Sequence, residues 1–259
     1  MYLGIIGWYC KDSFAAAAAR GLKALEFDIN DNYNVPDFIE KIPETKKLIE
    51  QFGVGVSAVG QWGTTRLLPD GSLNLEQLEL EKQLMKGASE LGCPVYITGC
   101  NRSEKDLDSD INSAIDYIGR LVEFGKEIGV KVCLYNCDWN NFLACGEPMA
   151  KVLEALPELG LKYDTSHAIV HGRDWKSEVL QWGHRFYHVH IKGCLNMGDW
   201  FDHPPAGLDE TDWRALMGML YAHKYDACLS LEPHSSIWQG ELGEKGINYT
   251  IEYIKPMIL

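Results

Sequence analysis

The stretch SDINSAIDYIGRLVEFGKEIGVKVCLYN, residues 109–136, decides the fold. Residues 109–128 carry an amphipathic helical pattern, Gly129 stands where a left-handed helix cap needs no Cβ, and 131–136 is a short apolar run of strand length. The same unit recurs in both directions. Apolar, β-branched runs stand at 3–8, 23–29, 54–59, 94–99, 131–136, 161–164, 187–192 and 227–232. Helical patterns lie at 12–20, 36–50, 74–91, 109–128, 147–156, 174–182, 211–222 and 243–256. Gly21, Gly53 and Gly92 repeat the punctuation seen at Gly129. Alternating β and α elements with short returns imply a parallel sheet covered by helices. Eight units in 259 residues predict one domain, 1–259, folded as a single (β/α)8 TIM barrel. An open doubly wound sheet fits less well, and no GxGxxG follows the first run to mark a dinucleotide site.

Hydrophobic residues make up 46% of the chain and charged residues 24%, a globular composition rather than a disordered one. The net charge of −13 opposes nucleic-acid backbones and anionic membranes as partners. No apolar run approaches the ~18 residues of a membrane span. The first residues lack the basic and apolar regions of an export signal, so a cytoplasmic location is expected. The eight cysteines contain no CxxC pair, and Cys93, Cys133, Cys194 and Cys228 fall in or beside apolar runs, which predicts buried thiols rather than disulfides or a zinc–thiolate site.

On a barrel, chemistry sits at the carboxyl ends of the strands. Polar residues are concentrated there in the last runs: Lys162-Tyr163-Asp164-Thr165-Ser166-His167, His188-Val189-His190-Ile191-Lys192 and Leu231-Glu232-Pro233-His234. The two-residue period of a strand puts His188, His190 and Lys192 on one face, toward the barrel interior or the mouth of a pocket. Carboxylates with one imidazole suit a divalent cation with positions left open for a polyol. Glu26 and Asp28 end the second run with the same facing, fit either to contact a sugar hydroxyl or to form a structural ion pair. Trp8, Trp62, Trp139, Trp200 and Trp238 fall at strand ends or in the following loops, where flat apolar walls suit the C–H face of a sugar.

These residues resemble the xylose-isomerase-like family of sugar and sugar-phosphate isomerases and epimerases, over nearly the whole chain. The resemblance is carried by Asp164-x-x-His167, His188-x-His190-x-Lys192, Pro204-Pro205-Ala206-Gly207 followed by Asp212-Trp213, and Tyr225-Asp226 running into Leu229-Ser230-Leu231-Glu232-Pro233-His234. It implies a metal (Mn, Co, Mg or Zn) on Asp164, His190 and Glu232, with His167 near substrate or metal. It also implies a small-molecule carbohydrate substrate and a divalent-metal-dependent isomerase or epimerase, with a related lyase or dehydratase as the alternative. A phosphodiester-cleaving relative would need more ligands and a basic groove. A homo-oligomer stays open.

The family usually ends its fifth strand with a metal-binding glutamate, and here Tyr135 takes that place. Three consequences are open. Water or Asn136 completes the shell; or Tyr135 serves as general acid or oxyanion donor; or the chain keeps sugar binding, or a scaffold role, without the reaction. The expected catalytic set is Glu232 as base with Tyr135, His167 and Lys192 as candidates for the second role. The expected substrate contacts are His188, Trp8, Glu26, Trp62, Asn136 and Trp139.

Overall fold

The computed structural model describes residues 1–198 and 200–259. Its strands are β1 (Tyr2–Ile6), β2 (Ala24–Asp28), β3 (Gly55–Gly60), β4 (Val95–Thr98), β5 (Lys131–Tyr135), β6 (Gly160–Tyr163), β7 (Phe186–Ile191), the short β8 (Leu195–Asn196) and β9 (Phe201–Asp202), and β10 (Cys228–Leu231). Strands β1 to β7 and β10 close into a parallel eight-stranded barrel, with β10 lying between β7 and β1. The antiparallel hairpin β8–β9 lies in the long connection after β7.

The helices are α1 (Lys11–Ala19), α2 (Asn34–Phe52), α3 (Leu75–Glu90), α4 (Leu107–Ile128), α5 (Gly146–Ala155), α6 (Thr165–Val170), α7 (Trp175–Trp182), α8 (Trp213–Ala222) and α9 (Gly240–Ile254). All but α6 match the helical patterns of the sequence. Helices α2 and α4 end in left-handed caps at Gly53 (φ 65°) and Gly129 (φ 75°), a backbone conformation that a Cβ would strain. All eight cysteines are free, with Cys93, Cys133, Cys194 and Cys228 buried. Among the described residues no helix is long and apolar enough to cross a membrane.

The strands' alternation sorts their side chains into two layers. Leu25, Phe27, Val132, Leu134, Val189, Ile191, Leu229 and Leu231 join the helix-facing core with Phe14, Phe38, Leu121 and Trp213. The opposite faces fill the barrel lumen, and the lumen is divided. Strands β3 to β5 fill their part with Ala58, Val95, Ile97, Cys133 and Tyr135, a separate apolar cluster that also includes Trp62. Strands β2, β6, β7 and β10 contribute Glu26, Lys162, His188, His190 and Ser230, all buried. Burying five such polar groups costs stability unless they pair. The apolar part is closely fitted: a Cβ on Gly99 would lie 2.5 Å from Tyr135 Cζ, so the tyrosine ring fills the space a side chain there would take.

Candidate active site

Strand alternation and helix capping together build the site. In β7, Val189 and Ile191 pack outward into the core, which turns His188 and His190 inward. Lys192 follows in the same phase. Asp164 follows β6 directly and caps α6: its Oδ1 accepts from Ser166 N–H at 2.8 Å, which fixes the carboxylate, while its buried Oδ2 has no hydrogen-bond partner among the described residues. The turn is held from β5 by Asn136, whose Oδ1 accepts from Asp164 N–H (3.0 Å) and whose Nδ2 donates to Asp164 O (2.8 Å). Glu232 stands one residue beyond β10, with its N–H donating to Ile191 O.

A chain of charged contacts runs through the lumen. Glu26 meets His188 Nε2 at 2.8 Å and His190 Nε2 at 2.9 Å. The other nitrogen of His190, Nδ1, lies 2.5 Å from Glu232 Oε2 and 4.0 Å from Asp164 Oδ2. Lys192 Nζ donates to Glu232 Oε1 at 3.1 Å and lies 3.8 Å from Asp164 Oδ2. Lys162 Nζ is also 3.8 Å from Asp164 Oδ2, and His167 Nε2 is 3.4 Å away.

Burial alone would push these carboxyls up, yet the neighbouring cations overcome it. His190 and His188 hold Glu26 well below the usual carboxylate range, and Lys192 and His190 do the same for Glu232. His167, Lys192 and Lys162 bring Asp164 down to about 2. Burial likewise depresses imidazoles, but Glu26 and then Glu232 carry His190 up to about 9. For His167 burial outweighs the pull of Asp164, and with Lys162 and Lys192 nearby it is left at about 4, neutral at neutral pH. Asp28 is the exception among the carboxyls. Burial, with Glu26 and Glu232 nearby, pushes it well above its usual range, and its buried Oδ1 has no partner among the described residues.

A cavity of about 590 Å³ opens above this floor, within the size range of small-molecule sites. His167, His190, Lys192 and Glu232 line it, and Asp164 lies directly beneath. Trp62 and the half-exposed Trp139 form part of its wall. Phe201 and His203, brought in by the β8–β9 hairpin and the residue after it, line it as well.

Other predicted residues are placed differently. Glu26 lies below the cavity with both oxygens directed at imidazoles. His188 lines a second cavity, of about 450 Å³, at the amino-terminal end of the barrel. Asn136 is spent on the Asp164 backbone, and Trp8 is exposed outside the cavity lining. Tyr135 does not join the charged cluster: its hydroxyl donates to Trp139 O and accepts from Gly63 N–H, each at 3.2 Å, and its ring stacks on Trp62. Two backbone groups of neighbouring loops thus hold the hydroxyl, one of the candidates for general acid or oxyanion donor, away from the charged cluster. Lys162 was not singled out, although it shares the facing of Asp164 by the same two-residue period used for β7, and it lines the cavity.

The ligating atoms of Asp164, His190 and Glu232 lie within 4.8 Å of one another. This donor set fits a divalent cation: two carboxylates and an imidazole converge, one buried carboxylate oxygen is unpartnered, and Glu26 engages His190 Nε2 so that Nδ1 is the nitrogen facing the carboxylates. A second grouping, Glu26 with His188 and His190, also lies within 4.8 Å, but its atoms already satisfy one another.

A family model described as the xylose isomerase-like TIM barrel matches residues 14–257. No curated protein matches the sequence significantly. Among solved structures, the chain is similar to the 3-keto-D-glucoside 4-epimerase YcjR from E. coli, with a TM-score of 0.77, 16% identity and 99% of each chain covered. It is similar to the D-allulose 3-epimerase from Methylomonas sp., with a TM-score of 0.75 and 16% identity over 100% of this chain and 98% of that one. A third is the IolI protein with a bound zinc atom, with a TM-score of 0.77 and 14% identity over 100% and 99% of the two chains.

Proposed function

The chain belongs to the xylose isomerase-like TIM-barrel family, and on that premise we propose that it is a divalent-metal-dependent carbohydrate isomerase or epimerase. The observation that carries this reading is the convergence of Asp164, His190 and Glu232 at the floor of a cavity large enough for a sugar. Those three residues would hold the cation, which when bound supplies Lewis-acid polarisation of a carbonyl beside a hydroxyl. The similarity to two sugar epimerases and to a zinc-holding barrel supports the same choice.

The chain's own groups supply the remaining parts. Glu232 takes the proton from the carbon beside the carbonyl. Lys192, which donates to it at 3.1 Å, keeps it ionised, as a base must be before it accepts a proton. His167, neutral and on the cavity wall, donates one N–H to a substrate hydroxyl. Asp28, whose carboxyl burial pushes well above its usual range and whose buried oxygen is unpartnered among the described residues, lines the cavity and binds a second hydroxyl. Trp62 and Trp139 exclude water and face the sugar's C–H surface. Glu26 positions His190 rather than touching substrate.

The test is solvent exchange. With a panel of ketoses and Mn²⁺ or Co²⁺ in deuterated water, the wild type incorporates deuterium at the carbon beside the carbonyl. Glu232→Gln keeps its fold and loses that exchange by ~100-fold or more, the scale of a general base. Undiminished exchange in the variant removes Glu232 as the base. The second reading is a lyase or dehydratase, favoured by Tyr135: with no carboxylate on β5, one base stands alone, and an elimination needs only one. Loss of water from the substrate in the same assay identifies it.

A further inference from the structure

Lys162 is a buried ammonium that the proposed roles leave unused. Its side chain is 1% exposed, and it makes no hydrogen bond among the described residues. Its carboxylate neighbour, Asp164 Oδ2, stands at 3.8 Å, beyond hydrogen-bond reach, and that oxygen is shared with Lys192 at the same distance. With only that long ion pair, its donor hydrogens are left for a group in the cavity that Lys162 lines. Its position supplies the context. Lys162 is the register partner of Tyr135 on one side and of His188 on the other, and it lines the cavity floor. The strand position from which the family's fifth-strand glutamate would reach into the site is thus occupied by a neutral ring, and the next strand presents a cation instead.

The cavity lining holds two lysines, Lys162 and Lys192, each 3.8 Å from the same Asp164 oxygen. Lys192 donates to Glu232 at 3.1 Å, which leaves Lys162 as the one whose donors are uncommitted among the described residues. We propose that Lys162 is a substrate-binding residue that receives the oxygen on which negative charge develops when the proton leaves carbon, so that the site holds an enediolate between Lys162 and the metal-binding side. This rests on the proton-transfer reading of the same site. When Glu232 takes the proton, the C–H electron pair moves into the new C–C double bond and the carbonyl pair onto oxygen, where a preorganised ammonium stabilises it.

Binding alone tests the assignment. Threonate, whose planar carboxylate beside a hydroxyl imitates the enediolate, is compared with the neutral polyol threitol by titration calorimetry on the full chain, with and without Mn²⁺. The wild type binds threonate at least about tenfold more tightly than threitol, the scale of one charge-assisted hydrogen bond. Lys162→Gln loses most of that preference while its threitol affinity stays within about twofold, and Lys162→Arg, which keeps the charge, retains it. An unchanged preference in Lys162→Gln overturns the assignment. If that variant does not fold, the wild type decides: equal affinity for the two probes overturns the proposal equally. The readout needs no turnover. Anion preference without any deuterium exchange therefore overturns the isomerase reading and with it the enediolate, whereas exchange without anion preference overturns the assignment of Lys162 alone.

Discussion

Replacing Tyr135 with phenylalanine separates a structural tyrosine from a catalytic one. The ring would remain, stacked on Trp62 with centroids 5.6 Å apart and filling the space beside Gly99. Only the hydroxyl is lost, and with it the bonds to Trp139 O and from Gly63 N–H, both 3.2 Å long. Each is worth ~0.5–1.5 kcal/mol net, and a partner left unpaired where water cannot reach costs ~1–3 kcal/mol. Because Trp139 is exposed and Gly63 half-buried, water can take up part of the loss, so the expected destabilisation is ~1–3 kcal/mol. For a chain of this length that lowers Tm by ~2–12 °C. Urea titration followed by far-ultraviolet dichroism measures the stability, and deuterium exchange into a substrate sugar measures the chemistry. Exchange should stay within a few-fold of wild type, with any change appearing as weaker substrate binding, since Trp62 and Trp139 are the walls the hydroxyl ties together. A fall of ~100-fold or more in exchange with unchanged stability would refute this placement and return Tyr135 to the reacting centre.

Three further outcomes are expected. Arg66→Met leaves Glu81 without its buried partner, where the guanidinium now donates to the carboxylate at 2.9 and 3.1 Å, and should cost ~3–5 kcal/mol in chemical denaturation; a loss under ~1 kcal/mol would show that Tyr96, Thr98 and Tyr117, which also donate to Glu81, suffice. Mn²⁺ at ~100 times its Kd should stabilise the wild type by ~2.7 kcal/mol in thermal unfolding, and Asp164→Asn should remove that response; a full response in the variant would place the cation elsewhere. Burial raises the Asp110 carboxyl, but Ser103 and Arg102 overcome this and hold it below its ordinary 3.8, so the contribution is present above that pH and lost as the pH falls through the lowered value. Asp110→Asn should therefore flatten the acid limb of the stability profile, and an unchanged limb would exclude the group.

The parts of the fold that were legible are those with a repeating physical signal. Eight apolar runs and eight amphipathic stretches report a parallel barrel because each strand is covered and each helix has one buried face. Helix α6, with six residues, and the two-residue strands of the hairpin are too short to show a period, so they stayed hidden inside a strand ending and a long loop. At the site, Asp164, His190, Lys192 and Glu232 were legible because a barrel has no packing use for charge at its strand ends. Glu26 and His188 obey the same rule but lie a layer deeper, and facing alone does not give depth. The direction of the Tyr135 hydroxyl could not be read, since its donor is a backbone group 72 residues away. Lys162 was within reach of the period-two rule, two positions before Asp164, but a lysine in a strand ordinarily reads as solvent-facing.

The contact between Gly99 and Tyr135 makes the fifth-strand tyrosine an epistatic feature rather than a point difference. With 2.5 Å from a would-be Cβ to the ring, Tyr135 is compatible with glycine at 99 and with almost nothing else, while a shorter side chain at 135 would leave a void that glycine cannot fill. Neither residue can be exchanged alone without loss. A glutamate at 135 by itself would give an under-packed lumen, so a change at either of the two positions calls for a compensating change at the other.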